Sequence, residues 1–137
     1  MIATNGSNTA LVATGINPSD VIGNIGIVTT SNATPTTIAS LNYATASGTA
    51  YAVRATFLAR QTNAPNPAAS FTVRATFNNI AGVLTLIDNA NDLVYVPSTI
   101  TWTAAIAVSG TNIVFIVTGA IATTINWTAR VDPILTI

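Results

Sequence analysis

Residues 51–57 read Tyr-Ala-Val-Arg-Ala-Thr-Phe, and residues 71–77 read Phe-Thr-Val-Arg-Ala-Thr-Phe. In both stretches, aromatic, Val and Ala residues alternate with Arg and Thr, which is the period of two that lets a β-strand bury one face. The segment between them, 61–69, is rich in Asn and Pro and predicts a loop. The two strands are therefore expected to form a long-looped hairpin or to be sheet neighbours, with Arg54 and Arg74 on the same face.

The rest of the chain also favours strands. No segment has convincing helical periodicity, whereas β-branched runs recur at the spacing of about 8 to 12 residues that is typical of a sandwich or barrel. Further strands are predicted at 36–42, 83–87, 93–96, 101–108, 113–118 and 125–131, with turns at 78–79, 88–92, 97–98, 109–110 and 119–120. The predicted fold is all-β: a single antiparallel β-sandwich of jelly-roll type that spans residues 36–137.

The first 35 residues have a different character. Glycines and prolines interrupt their short apolar runs, and residues 1–34 contain no aromatic residue and a single charge, Asp20. Two interpretations remain open for 1–35: an extended N-terminal arm that pairs with a neighbouring subunit or a capsid, or one or two further strands of the same sandwich. The chain begins at Met1 without the pattern of a signal peptide, and we expect it to be a complete small gene product.

Composition excludes most chemistry. Charged residues make up 6% of the 137 residues, as four Arg and four Asp, and the net charge is zero. This gives no basic surface for nucleic acid or an anionic membrane, so neither is expected as a partner. The chain contains no Cys and no His, which excludes disulfides and nitrogen or sulfur metal ligands. We expect no cofactor.

The stretch 104–122 is long and uncharged enough to suggest a membrane helix. Its middle, however, contains the turn signal Ser109-Gly110-Thr111-Asn112, and the flanking runs are rich in β-branched residues. Two strands joined by a turn are therefore predicted, and no membrane span is expected.

Four carboxylates are the only candidates for acid–base catalysis: Asp20, Asp88, Asp92 and Asp132. Asp88 and Asp92 belong to the predicted Asn-rich turn rather than to a recognisable cleft. The same turn lacks a calcium-loop pattern, because Ala90 occupies the third ligand position. We therefore predict no catalytic residue, no metal ligand and no enzymatic activity.

Three arginines are candidates for an interface. The guanidinium fork suits bidentate contacts to carboxylates, although a compositional bias explains four Arg and no Lys equally simply. Arg130 and Asp132 share a strand face and are expected to pair. Arg54 and Arg74 require carboxylates from elsewhere on this chain or on a neighbouring subunit.

Three apolar residues complete the interface candidates. Trp102 and Trp127 alternate with other apolar residues, so both are predicted to lie in the core or in a subunit interface. The run 113–117 is apolar on both faces. One face is expected to enter the core of the chain. The other face, with Ile116, must therefore be covered by the second sheet or by a neighbouring subunit.

From about Thr36 to Ile137, the order of features resembles small β-rich modules of tailed-phage virion proteins, found in tail and head fibres and in capsid decoration proteins. The resemblance is carried by the tracts 51–57, 71–77, Asn79-Ile80-Ala81-Gly82, 102–112, Val117-Thr118-Gly119 and Ile125-Asn126-Trp127-Thr128-Ala129. Such modules are often more acidic before the first Trp, where this chain has Val96-Pro97-Ser98-Thr99.

The resemblance implies a structural role in a virion. The leading expectation is a capsid decoration or cement protein, a homotrimer that binds the major capsid protein or another virion protein on the outer surface of the head. The alternative is a tail-fibre or head-fibre module that binds a host receptor or glycan through Tyr43, Tyr95 or the 65–67 loop. Either protein would be made in the host cytoplasm.

Overall fold

The computed structural model describes residues 24–42, 48–97 and 100–136, and these form eight strands. The strands are β1 (Asn24–Thr30), β2 (Thr36–Asn42), β3 (Thr49–Gln61), β4 (Ala68–Ile80), β5 (Val83–Tyr95), β6 (Thr103–Ser109), β7 (Asn112–Thr118) and β8 (Ile125–Thr136). No helix occurs in these three ranges, so none of their residues belongs to a helix that could cross a membrane.

The strands form two antiparallel sheets. The larger sheet has the order β1-β8-β3-β4-β5, and the smaller has the order β2-β7-β6. The chain passes between the sheets after β1, β2, β5 and β7, while β3, β4 and β5 form a meander in the larger sheet. The predicted all-β sandwich is confirmed.

The repeated pentapeptide lies in the middle of the larger sheet. β3 pairs with β4 over twelve register positions, with Arg54 opposite Arg74. Along β3 the buried side chains of Tyr51, Val53 and Phe57 alternate with exposed ones. The prediction that these strands are sheet neighbours, with both arginines on one face, is confirmed.

Aromatic side chains fill the space between the sheets. The Trp127 ring on β8 lies 6.0 Å from the Phe71 ring on β4, nearly parallel to it, and 6.2 Å from the Trp102 ring, edge to face. Phe115 on β7 is fully buried and packs into the same core. The inward faces of both sheets thus form one continuous apolar layer, which fixes the orientation of the outward faces.

β1 brings part of the N-terminal segment into the sandwich. It pairs with β8 from Asn24↔Val131 to Thr30↔Ile125. For residues 24–30, this agrees with the interpretation that the N-terminal segment supplies a further strand of the same sandwich. Gly26 is needed there because a Cβ atom at this position would lie 2.4 Å from the carbonyl oxygen of Ile38 on β2. Residues 1–23, the rest of the predicted arm, lie outside the described residues.

β5 corrects a prediction. The sequence predicts two short strands separated by a turn at 88–92, but the structure has a single strand. Its pairing with β4 shifts register twice, so that Ile87 and Asp92 are skipped. These β-bulges absorb the extra residues. The polar residues Asp88 and Asn89 are compatible with a strand because β5 is at the end of its sheet and they remain exposed.

The turn predicted at Asn78-Asn79 is also displaced. Both residues belong to β4, and the β4–β5 turn is Ala81-Gly82, with φ values of 53° and 83°. Two successive positive φ angles are typical of a two-residue hairpin turn. Asn79 still contributes, because its Oδ1 accepts a hydrogen bond of 3.1 Å from the Gly82 N–H.

β8 is longer than its predicted span of 125–131 and continues to Thr136 along β3. Pro133 lies in this extension and has no N–H to donate. The described pairing of β8 with β1 ends at Val131, two residues before Pro133, whereas its pairing with β3 continues past Pro133.

The apolar stretch 104–122 forms a hairpin rather than a helix. β6 and β7 pair from Thr103↔Thr118 to Ser109↔Asn112, and Gly110 in the turn has a φ of 61°. The predicted turn at Ser109-Gly110-Thr111-Asn112 is confirmed.

Candidate functional site

The outward face of the larger sheet carries most of the chain's charge. We call this surface the outer face; it is the side of β1, β8, β3, β4 and β5 that points away from the smaller sheet. Six of the eight charged residues of the chain have described side chains, and all six belong to this sheet and face outward or lie at its exposed edge: Arg54, Arg60, Arg74, Asp88, Arg130 and Asp132.

A row of charged side chains runs across three adjacent strands. Asp132 on β8 is opposite Arg54 on β3, which is opposite Arg74 on β4. Ala90 on β5 follows as the register partner of Arg74. Because the β-carbons of directly opposite residues lie about 5 Å apart, the guanidinium groups of Arg54 and Arg74 can both reach one ligand.

The charged side chains on β8 and β5 each contact a neighbouring residue of their own strand. On β8, Nε of Arg130 lies 3.4 Å from Oδ1 of Asp132, which confirms the predicted pairing. The two side chains are 63% and 44% exposed, so this ion pair contributes little to stability. On β5, Oδ1 of Asp88 accepts a hydrogen bond of 2.8 Å from the backbone N–H of Asn89.

These five charged groups line an open depression of about 660 Å³, which we call the arginine depression. It is formed by β3, β4, β5 and β8, with Ala52, Thr76 and Ile134 between the charged side chains. Among the side chains of its lining that the structure describes, three arginines outnumber two aspartates by one charge. The site therefore offers many N–H donors, a few carboxylate acceptors and a local field that favours an anion.

Three exposed apolar side chains lie towards one end of the outer face. Ile27 on β1 and Leu58 on β3 flank Thr128 on β8 in a single register row, and they are 76% and 57% exposed. Ile25 lies one row nearer the arginine depression and is also exposed. We call Ile25, Ile27 and Leu58 the apolar end.

The apolar interface candidates lie in different places. Trp102 and Trp127 are 4% and 0% exposed and belong to the core of the single chain. Ile116 is half-buried on the outward face of the smaller sheet, opposite Thr37 and Ala105. A role for Ile116 in a subunit interface stays a prediction.

Among the residues suggested for receptor contact, the structure describes the 65–67 loop. Tyr43 and the side chain of Tyr95 lie outside the described residues. Pro65 lies in the loop between β3 and β4, which the sequence predicted correctly. In this loop, the Asn66 side chain donates hydrogen bonds to the carbonyl oxygens of Gln61 and Thr62.

Two of the four carboxylates have described side chains, Asp88 on β5 and Asp132 on β8. Their strands are separated by three strand spacings, or about 14 Å between backbones. Across the described residues, no group of three or more His, Cys, Asp or Glu side chains could hold a metal ion.

Sequence reasoning identified Arg54, Arg74 and the Arg130–Asp132 pair but did not join them. The missing information was the position of β8 beside β3, since these strands are separated by four others along the chain. Asp88 was considered as a candidate catalytic carboxylate but was not placed beside the arginines, because it was predicted to lie in a turn. The one available signal was the mixture of Arg and Thr on the polar faces of the repeated strands.

Comparisons with known proteins give structural matches only. No protein-family model matches the chain, and no curated protein matches its sequence. Among solved structures, the tailspike protein of Acinetobacter phage vB_ApiP_P1 matches 82% of this chain with 16% identity and a TM-score of 0.44. The tailspike protein of Acinetobacter baumannii phage AM24 matches 81% with 12% identity and a TM-score of 0.39.

The chain spans 22% and 28% of the lengths of these two tailspike proteins. At these identities and TM-scores, the similarity assigns no role to the chain.

Proposed function

We propose that this chain is a structural module of a phage virion, part of a tail or head fibre or of a tailspike, that binds a glycan on the host surface. The sequence resemblance supports the virion assignment. It rests on features that include Trp102, the turn at 109–112 and Asn126-Trp127. In the structure, Trp102 directly precedes β6, the turn joins β6 to β7, and both Trp residues belong to one core.

One observation carries the binding role: the chain has few charges, yet five of them line a single open depression. Surface charges that serve solubility alone are expected to be dispersed, with both signs interspersed over the protein. Saccharide hydroxyls both donate and accept hydrogen bonds, so they suit a surface on which Arg74 donates and Asp88 accepts.

The framework suits a binding role because the depression lies on paired strands. Arg54 and Arg74 project from two central strands of the larger sheet, whose opposite faces are buried against the core. Sites built on such elements hold side chains in position more firmly than sites on loops.

The test is binding of the purified full chain to an array of bacterial surface polysaccharides. We expect retention on a subset of these glycans, and a virion location shown by antibody labelling of phage particles. If the protein binds none of the glycans and antibodies do not label particles, the proposed function is wrong.

A second candidate is the capsid cement protein, which the apolar end of the outer face favours. Ile27 and Leu58 would be removed from water against a neighbouring subunit or the major capsid protein. Self-association as a homotrimer belongs to both proposals. A cement protein would be present in hundreds of copies in each particle, whereas a fibre module would be present in few, so quantitative protein gels of purified virions distinguish the two.

A further inference from the structure

Arg54 and Arg74 lie directly opposite each other on β3 and β4. Like charges directly opposite each other on adjacent strands are destabilising, and the chain has only four cationic side chains to place. Three of these four line the same depression. This arrangement concentrates guanidinium groups where a single anionic ligand can contact more than one of them.

We propose that the arginine depression binds the carboxylate group of an acidic saccharide, with Arg54 and Arg74 as its paired donors. This inference rests on the proposed function and specifies its ligand class. Each guanidinium presents a planar fork of N–H donors that matches the two oxygens of a carboxylate. Arg130 extends the positive surface on the β8 side.

Space for the ligand is available beside the paired arginines. Ala90 is the register partner of Arg74 on β5, and its small side chain leaves the depression open on that side. On the other side Asp132 opposes Arg54. A carboxylate bound at the centre would therefore meet Arg54 and Arg74 first and would lie farther from the aspartates.

The two aspartates favour a saccharide over an acidic peptide. Asp88 and Asp132 border the arginines, so a densely charged chain of carboxylates would be repelled at both sides of the depression. A uronic acid carries one carboxylate on a ring of hydroxyl groups, and those hydroxyls can donate hydrogen bonds to Asp88 and Asp132.

The experiment compares trigalacturonate, the neutral trisaccharide of galactose and hexa-aspartate peptide by isothermal titration calorimetry on the full chain. The variants are Arg54→Thr and Arg74→Thr. Thr is chosen because it already occupies other outward positions of these strands. Arg60→Thr is the matched control, because Arg60 lies on the same face of β3 but does not line the depression. Circular dichroism and thermal melts establish that each variant is folded.

We expect trigalacturonate to bind wild type and Arg60→Thr equally and to bind each of the other two variants about 10-fold or more weakly, as loss of a charge-assisted hydrogen bond implies. Binding should also weaken as salt is raised. Equal binding of the neutral trisaccharide, tighter binding of hexa-aspartate, or no difference between Arg60→Thr and the two test variants would overturn the inference.

The polysaccharide array separates the two proposals. Retention on acidic glycans, lost in Arg54→Thr and Arg74→Thr but kept in Arg60→Thr, supports both. Retention on neutral glycans alone overturns the assignment of an acidic ligand and leaves the glycan-binding function intact. Retention on no glycan overturns the proposed binding function itself.

Discussion

The indole Nε1 of Trp127 donates a buried hydrogen bond of 2.9 Å to Oγ1 of Thr30, a residue 97 positions earlier in the chain. Trp127 is the largest fully buried side chain, and its N–H group would otherwise be unsatisfied in the apolar core. This contact joins the last residue of β1 to a core side chain of β8. β1 is therefore an integral strand of the sandwich.

The first prediction concerns this hydrogen bond. Thr30→Val keeps the shape of the side chain but leaves the buried indole N–H without its acceptor, so we expect a loss of about 1 to 3 kcal/mol in the free energy of unfolding. The control is Thr29→Val. Oγ1 of Thr29 donates a hydrogen bond to Oδ1 of Asn126 at an exposed site, where a water molecule can take the place of the lost hydroxyl group. Urea denaturation measures both, and an equal loss in the two variants would contradict the prediction.

The second prediction concerns the close approach of β1 and β2. Gly26→Ala would place a methyl group 2.4 Å from the backbone oxygen of Ile38, so the sheets must separate locally. We expect a loss of about 2 kcal/mol or more, as is usual for overpacking. Gly48→Ala is the comparison: its φ of 79° imposes a conformational cost of about 1 kcal/mol, but a Cβ there meets no atom within 4 Å. A smaller effect at Gly26 than at Gly48 would be inconsistent with this packing.

The third prediction separates folding from self-association on β7. Val117→Asp places a charge in the core, since Val117 is fully buried, and should abolish the cooperative thermal transition. Ile116→Asp lies on the opposite face and is half-buried. We expect it to keep the fold while weakening the proposed self-association.

Light scattering coupled to size-exclusion chromatography measures the oligomer, and circular dichroism measures the fold. If Ile116→Asp keeps both the fold and the oligomer of the wild type, the outward face of the smaller sheet is not the subunit interface.

The fourth prediction concerns truncation of the N-terminal segment. From the sequence alone, removal of residues 1–30 is expected to leave a folded sandwich, as an extended arm requires. With β1 in place, the same deletion removes Thr30 and exposes the edge of β8. We now expect it to lower the melting temperature by on the order of 10 °C.

Deletion of residues 1–23 is the matched variant, because it removes no described strand. It should keep a cooperative melt, and its effect on oligomer size tests the role proposed for the arm. If removal of 1–30 were no more damaging than removal of 1–23, β1 would not be integral to the sandwich.

The alternation of apolar and polar residues predicted most of the strands, their buried faces and the sandwich. It succeeded at 51–57 and 71–77 because a period of two directs side chains to opposite faces whatever the neighbouring strand is. It failed at 88–92, where Asn and Asp are typical of a turn, because local composition does not distinguish a turn from a bulged edge strand.

The amino-acid sequence alone was enough to predict the buried faces of the alternating strands and the shared face of Arg54 and Arg74, and it contains no Cys or His. The three-dimensional structure was needed to show that Asp132 lies opposite Arg54 and that Asp88 lines the same depression. This is because periodicity is a local property of each strand. Strand order and register depend instead on long-range pairing, which in this chain brings β8 back beside β3.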